Sequence, residues 1–420
     1  MAVALGTFLS LLSNVTDKAP AVANLGNASA LNLQNFSNLS SFDNCLELVP
    51  QDAILSFSEL AQKYGHPAQK YEVTTEDGYI LTIFRIPGKK KTFPILLMHG
   101  LLDTCDTWIE RGNNSLSITL AKDDYDVWLG NIRGNPYSRG HVSIDVESNP
   151  AAYWNFTFDE HGYYDLSATI DLVLNETGAK KLNAIGHSQG TTFFYVLCST
   201  RPEYNEKINL FISLAPIAYL HHLPPPLSVL IQISPLIYVI GNALEVYEVF
   251  PENSLIIQGL RFICPVPVVG YTTCVFGIIF PVFGFDPPEL EPCFLRIFIR
   301  HYPTQTSLKN LYHLAQVSRR KKFAPYDNGE IGNQVAYNSS TPPDYDLGKV
   351  TMKVVLMVSG NDYLSKLEDV AILRKQLPNV VSYRVVPRSQ CNHFDYVLGK
   401  TMQNYIYPDI FDSLNKYGNN

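Results

Sequence analysis

The sequence predicts an α/β chain, doubly wound around a mostly parallel sheet, with a long apolar insertion after its first half. Three observations carry this. Short continuous apolar runs alternate with helical stretches along much of the chain. That rhythm stops between Ala215 and about Tyr345. Inside the gap lie two stretches without a single Asp, Glu, Lys or Arg.

Residues 56–65 (SFSELAQKYG) read as a short helix closed at Gly65, with His66-Pro67 as a stop. Residues 71–75 and 79–86 alternate apolar and polar around Glu76-Asp77-Gly78, the pattern of a β-hairpin on an Asp-Gly turn. Further strands are predicted at 93–98, 125–129, 182–185, 210–214, 354–358 and 383–386. Runs this short suit a parallel sheet covered by helices on both faces.

The charge-free stretches are 223–244 and 262–285, each long enough to raise the question of a membrane-spanning helix. Pro224, Pro225, Pro226 and Pro235 in the first, and Pro265, Pro267 and Pro281 in the second, argue against a span, because proline removes a backbone donor and breaks the helix. A hydrophobic cap fits better, and such surface on a soluble protein marks a lipid, membrane or ligand contact. The organisation predicted is residues 1–45 as signal and poorly ordered leader, 46–215 and 346–420 as the sheet-bearing core, and 216–345 as a cap with a lid. No transmembrane span is expected.

The 32 Lys+Arg stand against 39 Asp+Glu, a formal charge of −7, and this balance argues against a nucleic-acid partner. Residues 2–12 form an apolar stretch of signal-peptide length, although no Lys or Arg precedes it. Glycosylation sequons occur at Asn14, Asn27, Asn35, Asn38, Asn113, Asn155, Asn175 and Asn338, which points to a secreted glycoprotein. Seven cysteines fit an oxidising compartment with one or two disulfides and at least one free thiol. Their spacing offers no zinc-type cluster, so neither a metal nor a cofactor is expected.

Gly186-His187-Ser188-Gln189-Gly190 is a Gly-x-Ser-x-Gly motif between a predicted strand and a predicted helix at 191–198. That context projects a serine hydroxyl from the sheet edge on a sharp turn. A serine is a weak nucleophile until a base takes its proton, and the base needs an orienting acid. On this strand–turn–helix arrangement the chain order is Ser, then acid, then His. Of His221, His222, His301, His313 and His393, only His393 follows the last predicted strand. Asp362 follows the strand at 354–358, whereas Glu368 and Asp369 are expected to face solvent. Two backbone N–H groups must hold the developing oxyanion; Gln189, after the serine, and Leu101, in the His99-Gly100-Leu101-Leu102 loop, are the expected donors. His99 is expected to be structural.

An ordered set of stretches now stands out: YEVTTEDGYILTIFRIP at 71–87, HGLL at 99–102, YDVWLGNIRG at 125–134, YDLSATID at 164–171, GHSQGTT at 186–192, LAP at 214–216, GND at 360–362 and NH at 392–393. It resembles the acid lipase family, which includes gastric lipase and lysosomal acid lipase, across most of residues 55–410. The resemblance implies an α/β-hydrolase fold with a cap and mobile lid. It puts the nucleophile on Ser188, the acid on Asp362, the base on His393, and the oxyanion donors on Leu101 and Gln189. It also implies a Cys264–Cys274 disulfide in the cap. The implied substrates are triacylglycerols or cholesteryl esters met at a lipid interface, and the implied destination is secreted or lysosomal. The chain departs from the family pattern at His393-Phe394-Asp395-Tyr396 and in its proline-rich, charge-poor lid. The rival readings are a short-chain esterase or thioesterase, and a non-catalytic lipid-binding protein on the same fold. All three triad residue types are present, which tells against the last.

Overall fold

The computed structural model describes residues 49–419 of the 420. The expected signal, the leader and the sequons at Asn14, Asn27, Asn35 and Asn38 lie outside the described residues. Helix α1 (Phe57–Lys63) opens with a capping box, the Ser56 N–H and hydroxyl both donating to Glu59. The hairpin strands β1 (Gln69–Thr74) and β2 (Tyr79–Ile86) pair antiparallel across the Asp77-Gly78 turn. Then come β3 (Lys90–Met98), β4 (Tyr125–Gly130), the short β5 (Gly140–His141), helix α2 (Ser167–Thr177), β6 (Leu182–His187), α3 (Gln189–Thr200) and β7 (Ile208–Leu214).

After the insertion the sheet resumes with β10 (Lys353–Val358) and, beyond helix α8 (Leu367–Gln376), β11 (Val380–Val385). The strand order is β1-β2-β4-β3-β6-β7-β10-β11, with β5 on β2. Within this sheet the pairings from β4 along the order to β11 are parallel, and the β1–β2, β2–β4 and β2–β5 pairs are antiparallel. β4, β6 and β7 are buried along their whole length, as continuous apolar runs in a two-sided sheet must be. This is the α/β-hydrolase topology, with β3, β6, β7 and β10 presenting their C-terminal ends along one edge.

Between β7 and β10 the chain forms α4 (Leu227–Ala243), a two-residue strand β8 (Glu248–Val249), α5 (Leu255–Ile263), a π-helical segment (Tyr271–Ile279), α6 (Pro292–His301), β9 (Thr306–Ser307) paired with β8, and α7 (Leu308–Arg320). Contrary to the expectation from its prolines, α4 runs unbroken through Pro235. The reason is local: proline leaves the carbonyl four residues back without its donor, and the Ser234 hydroxyl donates to that same Ile231 carbonyl at 2.8 Å. No helix among the described residues is long and apolar enough to cross a membrane.

A second correction concerns Asp369. It is buried, not solvent-facing, because it lies in the first turn of α8 and accepts the backbone N–H groups of His221 and His222 where the chain enters the insertion. Glu368 is exposed. Cys264 and Cys274 are disulfide-bonded with their Cα atoms 5.7 Å apart. Cys293 is also disulfide-bonded, and Cys105, Cys198 and Cys391 are buried free thiols.

Candidate active site

β6 ends at His187 and α3 begins at Gln189, leaving Ser188 on the turn at φ 54, ψ −127. So strained a backbone needs its neighbours to hold it. The Ser188 N–H donates to Leu214 O at 3.0 Å, and the Thr191 N–H and hydroxyl both donate to Ser188 O, at 2.8 and 2.6 Å. The flanking glycines are required by close approach: a Cβ on Gly190 would sit 2.4 Å from His99 O, and one on Gly186 2.8 Å from Gly190 O. The structural reason for both glycines of the motif is therefore room, not rotation.

Three side chains that lie far apart in sequence meet here. Ser188 Oγ is 2.7 Å from His393 Nε2, and His393 Nδ1 is 2.8 and 3.0 Å from the two carboxylate oxygens of Asp362. The three residues are 7%, 2% and 0% exposed. Asp362 sits just past β10, where its Oδ1 accepts the N–H groups of Leu364 and Ser365, each at 2.8 Å. Burial on its own would raise the Asp362 carboxyl; His393 and these two N–H donors outweigh it and hold the group below its ordinary value. A hydroxyl, an imidazole and an ionised carboxylate in that line can pass the hydroxyl's proton to the ring and stabilise the cation that results.

The serine opens onto a cavity of about 430 Å³. Its walls are almost wholly apolar: Leu227, Leu230 and Ile231 from α4, Leu308 and Leu311 from α7, and Phe283 beyond the π-helical segment. Leu101 and Gln189 border the same space, and Gly100 packs so near that a Cβ there would lie 3.1 Å from Ser188 Cβ.

Residues 57–112 match the family model described as a partial alpha/beta-hydrolase lipase region, and residues 94–237 match the alpha/beta hydrolase fold. Human lipase member K is 34% identical over 376 residues, 87% of this chain and 92% of its own length. Mouse gastric triacylglycerol lipase is 34% identical over 372 residues, 86% of this chain and 91% of its own. Lipase 1 of Drosophila melanogaster is 35% identical over 372 residues, 88% of this chain and 81% of its own.

The chain belongs to the acid lipase family. It is a lipase, a carboxylic ester hydrolase of the α/β-hydrolase class.

Several further groups shape the lipase's site, and of these Phe283 lies outside the quoted motifs. His187 donates its Nε2–H to His393 O at 2.9 Å, and burial lowers its imidazole to about 3, so that it acts as a neutral strut. The His393 N–H donates to Phe283 O at 3.1 Å, tying the histidine loop to the insertion. Asn392 completes that tie, donating to Gly284 O while Asp395 accepts its own N–H. His99 is buried, with Nδ1 2.9 Å from Gly100 O and burial lowering it to about 4. It stands under the Leu101 loop of the lipase, outside the Ser188–His393–Asp362 line.

The same loop leads into a buried acidic patch of Asp103, Asp106 and Glu110 around His301. Burial pushes the Glu110 carboxyl from 4.5 up to about 7, against the pull of His301. Between those pH values the folded lipase keeps a proton that the unfolded chain has lost. The stability contributed by this group is therefore complete below about 4.5 and lost as pH rises through about 7. Glu110→Gln cannot ionise, so thermal unfolding of both proteins should show the variant gaining on the wild type by up to about 3 kcal/mol between those limits. A stability difference that does not change with pH would show that Glu110 does not titrate in this window.

Proposed function

We propose that this lipase hydrolyses esters of neutral lipids, triacylglycerols or cholesteryl esters, through an acyl-enzyme on Ser188. The observation that carries the reading is the 2.7 Å contact between Ser188 Oγ and His393 Nε2 at the wall of an apolar cavity of about 430 Å³. His393 takes the hydroxyl proton as the serine oxygen attacks the ester carbonyl, and Asp362 fixes the ring and balances its charge. The N–H groups of Leu101 and Gln189 receive the oxyanion. The tetrahedral intermediate then collapses, His393 gives its proton to the departing alcohol, and water repeats the sequence to free the acid. A fatty acyl chain suits walls that offer it few polar partners.

In this reading residues 216–345 are a cap over the core and about 220–285 its lid, with the Cys264–Cys274 disulfide limiting how far the lid unravels. What supports a lid that meets lipid is its outer face. α4 lines the cavity on one side and exposes Leu236 and Val239 on the other, each at 63%; Phe262 of α5 is 80% exposed. Such surface is unfavourable in water and neutral against lipid. Asn113, Asn155, Asn175 and Asn338 are all exposed, consistent with a glycosylated, secreted or lysosomal enzyme.

The test compares hydrolysis of emulsified long-chain triacylglycerol, cholesteryl ester and a soluble short-chain ester from pH 4 to 8. The long-chain substrates should be preferred, and the rate on a partly soluble ester should rise sharply above the concentration at which it aggregates. Smooth saturation through that concentration would overturn the lid, and preference for the short soluble ester would overturn the substrate class.

A further inference from the structure

The nucleophile turn is braced from the core side by Thr191 and Thr192, which bond Ser188 O and the Ile217 backbone. On the other side it is braced by one side chain of the inserted segment. Asn310, in the first turn of α7, exchanges two hydrogen bonds with the side chain of Gln189. Gln189 Nε2 donates to Asn310 Oδ1 at 3.2 Å, and Asn310 Nδ2 donates to Gln189 Oε1 at 3.3 Å. We propose that Asn310 is a positioning residue for the oxyanion hole: it locks the Gln189 side chain, and through it the peptide whose N–H faces the reacting carbonyl.

Asn310 is fully buried on a helix whose other nearby residues, Leu308, Leu311 and Ala315, face the apolar cavity. An amide in such a place costs free energy unless its hydrogen bonds are made, and a leucine would fill the same volume without that demand. The amide itself is held. Ser307 Oγ accepts the Asn310 N–H at 2.9 Å and donates to Phe156 O, while Thr306 Oγ1 lies 3.3 Å from Asn310 Nδ2. β9 and the start of α7 thus fasten Asn310 to the core. Gln189 gains a partner that does not move with the outer part of the insertion. Without that partner the Gln189 amide, which borders the cavity, is free to swing into it and compete for the acyl group. The Ser188–Gln189 peptide then keeps the Thr191 bond at its carbonyl but loses the restraint that reaches it through the Gln189 side chain. An oxyanion donor acts by pre-organisation, so a small rotation costs rate and leaves ground-state binding alone.

This inference rests on the serine mechanism proposed above. It is tested with Asn310→Ala, with the nearly isosteric Asn310→Leu in case the smaller side chain leaves a destabilising hole, with Gln189→Ala, and with the Asn310→Ala/Gln189→Ala double variant. On a soluble short-chain ester kcat should fall about tenfold in each Asn310 variant with KM within about twofold, and affinity for a boronic acid that forms a tetrahedral serine adduct should fall by the same factor as kcat. The double variant should be no slower than Gln189→Ala, because Asn310 acts only through Gln189. Losses that multiply in the double variant, or Asn310→Leu with wild-type kcat, would overturn the proposal. Ser188→Ala assayed alongside separates the two readings: hydrolysis surviving in that variant sinks the serine mechanism itself, whereas a fully active Asn310→Leu in an enzyme that Ser188→Ala silences sinks only the role of Asn310.

Discussion

Ser188→Ala is expected to remove ester hydrolysis almost completely and to leave the fold in place. The Ser188 hydroxyl lies 2.7 Å from His393 Nε2, whereas the Ser234 hydroxyl on the cavity wall donates to Ile231 O and has no such base. Members of a triad act as a unit, and loss of the nucleophile costs on the order of 10⁴–10⁶-fold in kcat. The fold should tolerate the change because every restraint on the turn is backbone or comes from a neighbour: Ser188 N–H to Leu214, Thr191 to Ser188 O, and the close approach of Gly190 to His99. The hydroxyl's own bond is to His393, whose Nε2 stays at the cavity wall. Rates on a soluble ester, with thermal unfolding of the same preparations, check both halves. A variant within about tenfold of wild type would remove Ser188 from the mechanism.

The parts of this molecule that were legible in the sequence are those where one local pattern has one physical cause. β4, β6 and β7 read as strands because burial on both faces leaves no polar position to interrupt them. β11 is a half-exposed edge strand, so its first residues, Val380 to Ser382, were not distinguishable from the loop before them. β3 begins at Lys90 with three exposed residues that carry no apolar signal at all. The paired strands β8 and β9 are two residues each, below the length at which alternation can be seen.

At the candidate site, the glycine motif pointed to Ser188 locally, and the chain order pointed to Asp362 and His393 because each follows a strand that can be read from the sequence. Asn310, Phe283 and Asp369 were illegible for the opposite reason. Each acts through a contact to a residue more than a hundred positions away, and its value is set by burial that the sequence does not display. Asp369 shows the error this causes: a carboxylate on a helix of charged residues looks solvated until the chain entering the insertion turns back over it.

Asp362→Asn should be the next most damaging change, and its cause can be followed atom by atom. In the lipase, Oδ1 of Asp362 accepts two N–H groups, from Leu364 and Ser365, and both carboxylate oxygens face His393 Nδ1–H. An asparagine must turn its oxygen toward the two backbone donors, since its NH₂ would meet them donor to donor. That leaves the NH₂ pointing at His393 Nδ1. To accept from it, the ring must give up its proton there and carry it on Nε2, the atom that has to receive the proton of Ser188. The base is then occupied, and the positive charge of any imidazolium that forms has lost its buried counter-charge. The expected loss is on the order of 10³–10⁴-fold in kcat with KM little changed. Asp369→Asn is the matched control, because that carboxylate caps the His221 and His222 N–H groups and does not touch His393. It should stay within a few-fold of wild type. If Asp369→Asn proved the crippling change and Asp362→Asn were silent, the acid of the triad would have to be reassigned, and the tautomer argument would fall with it.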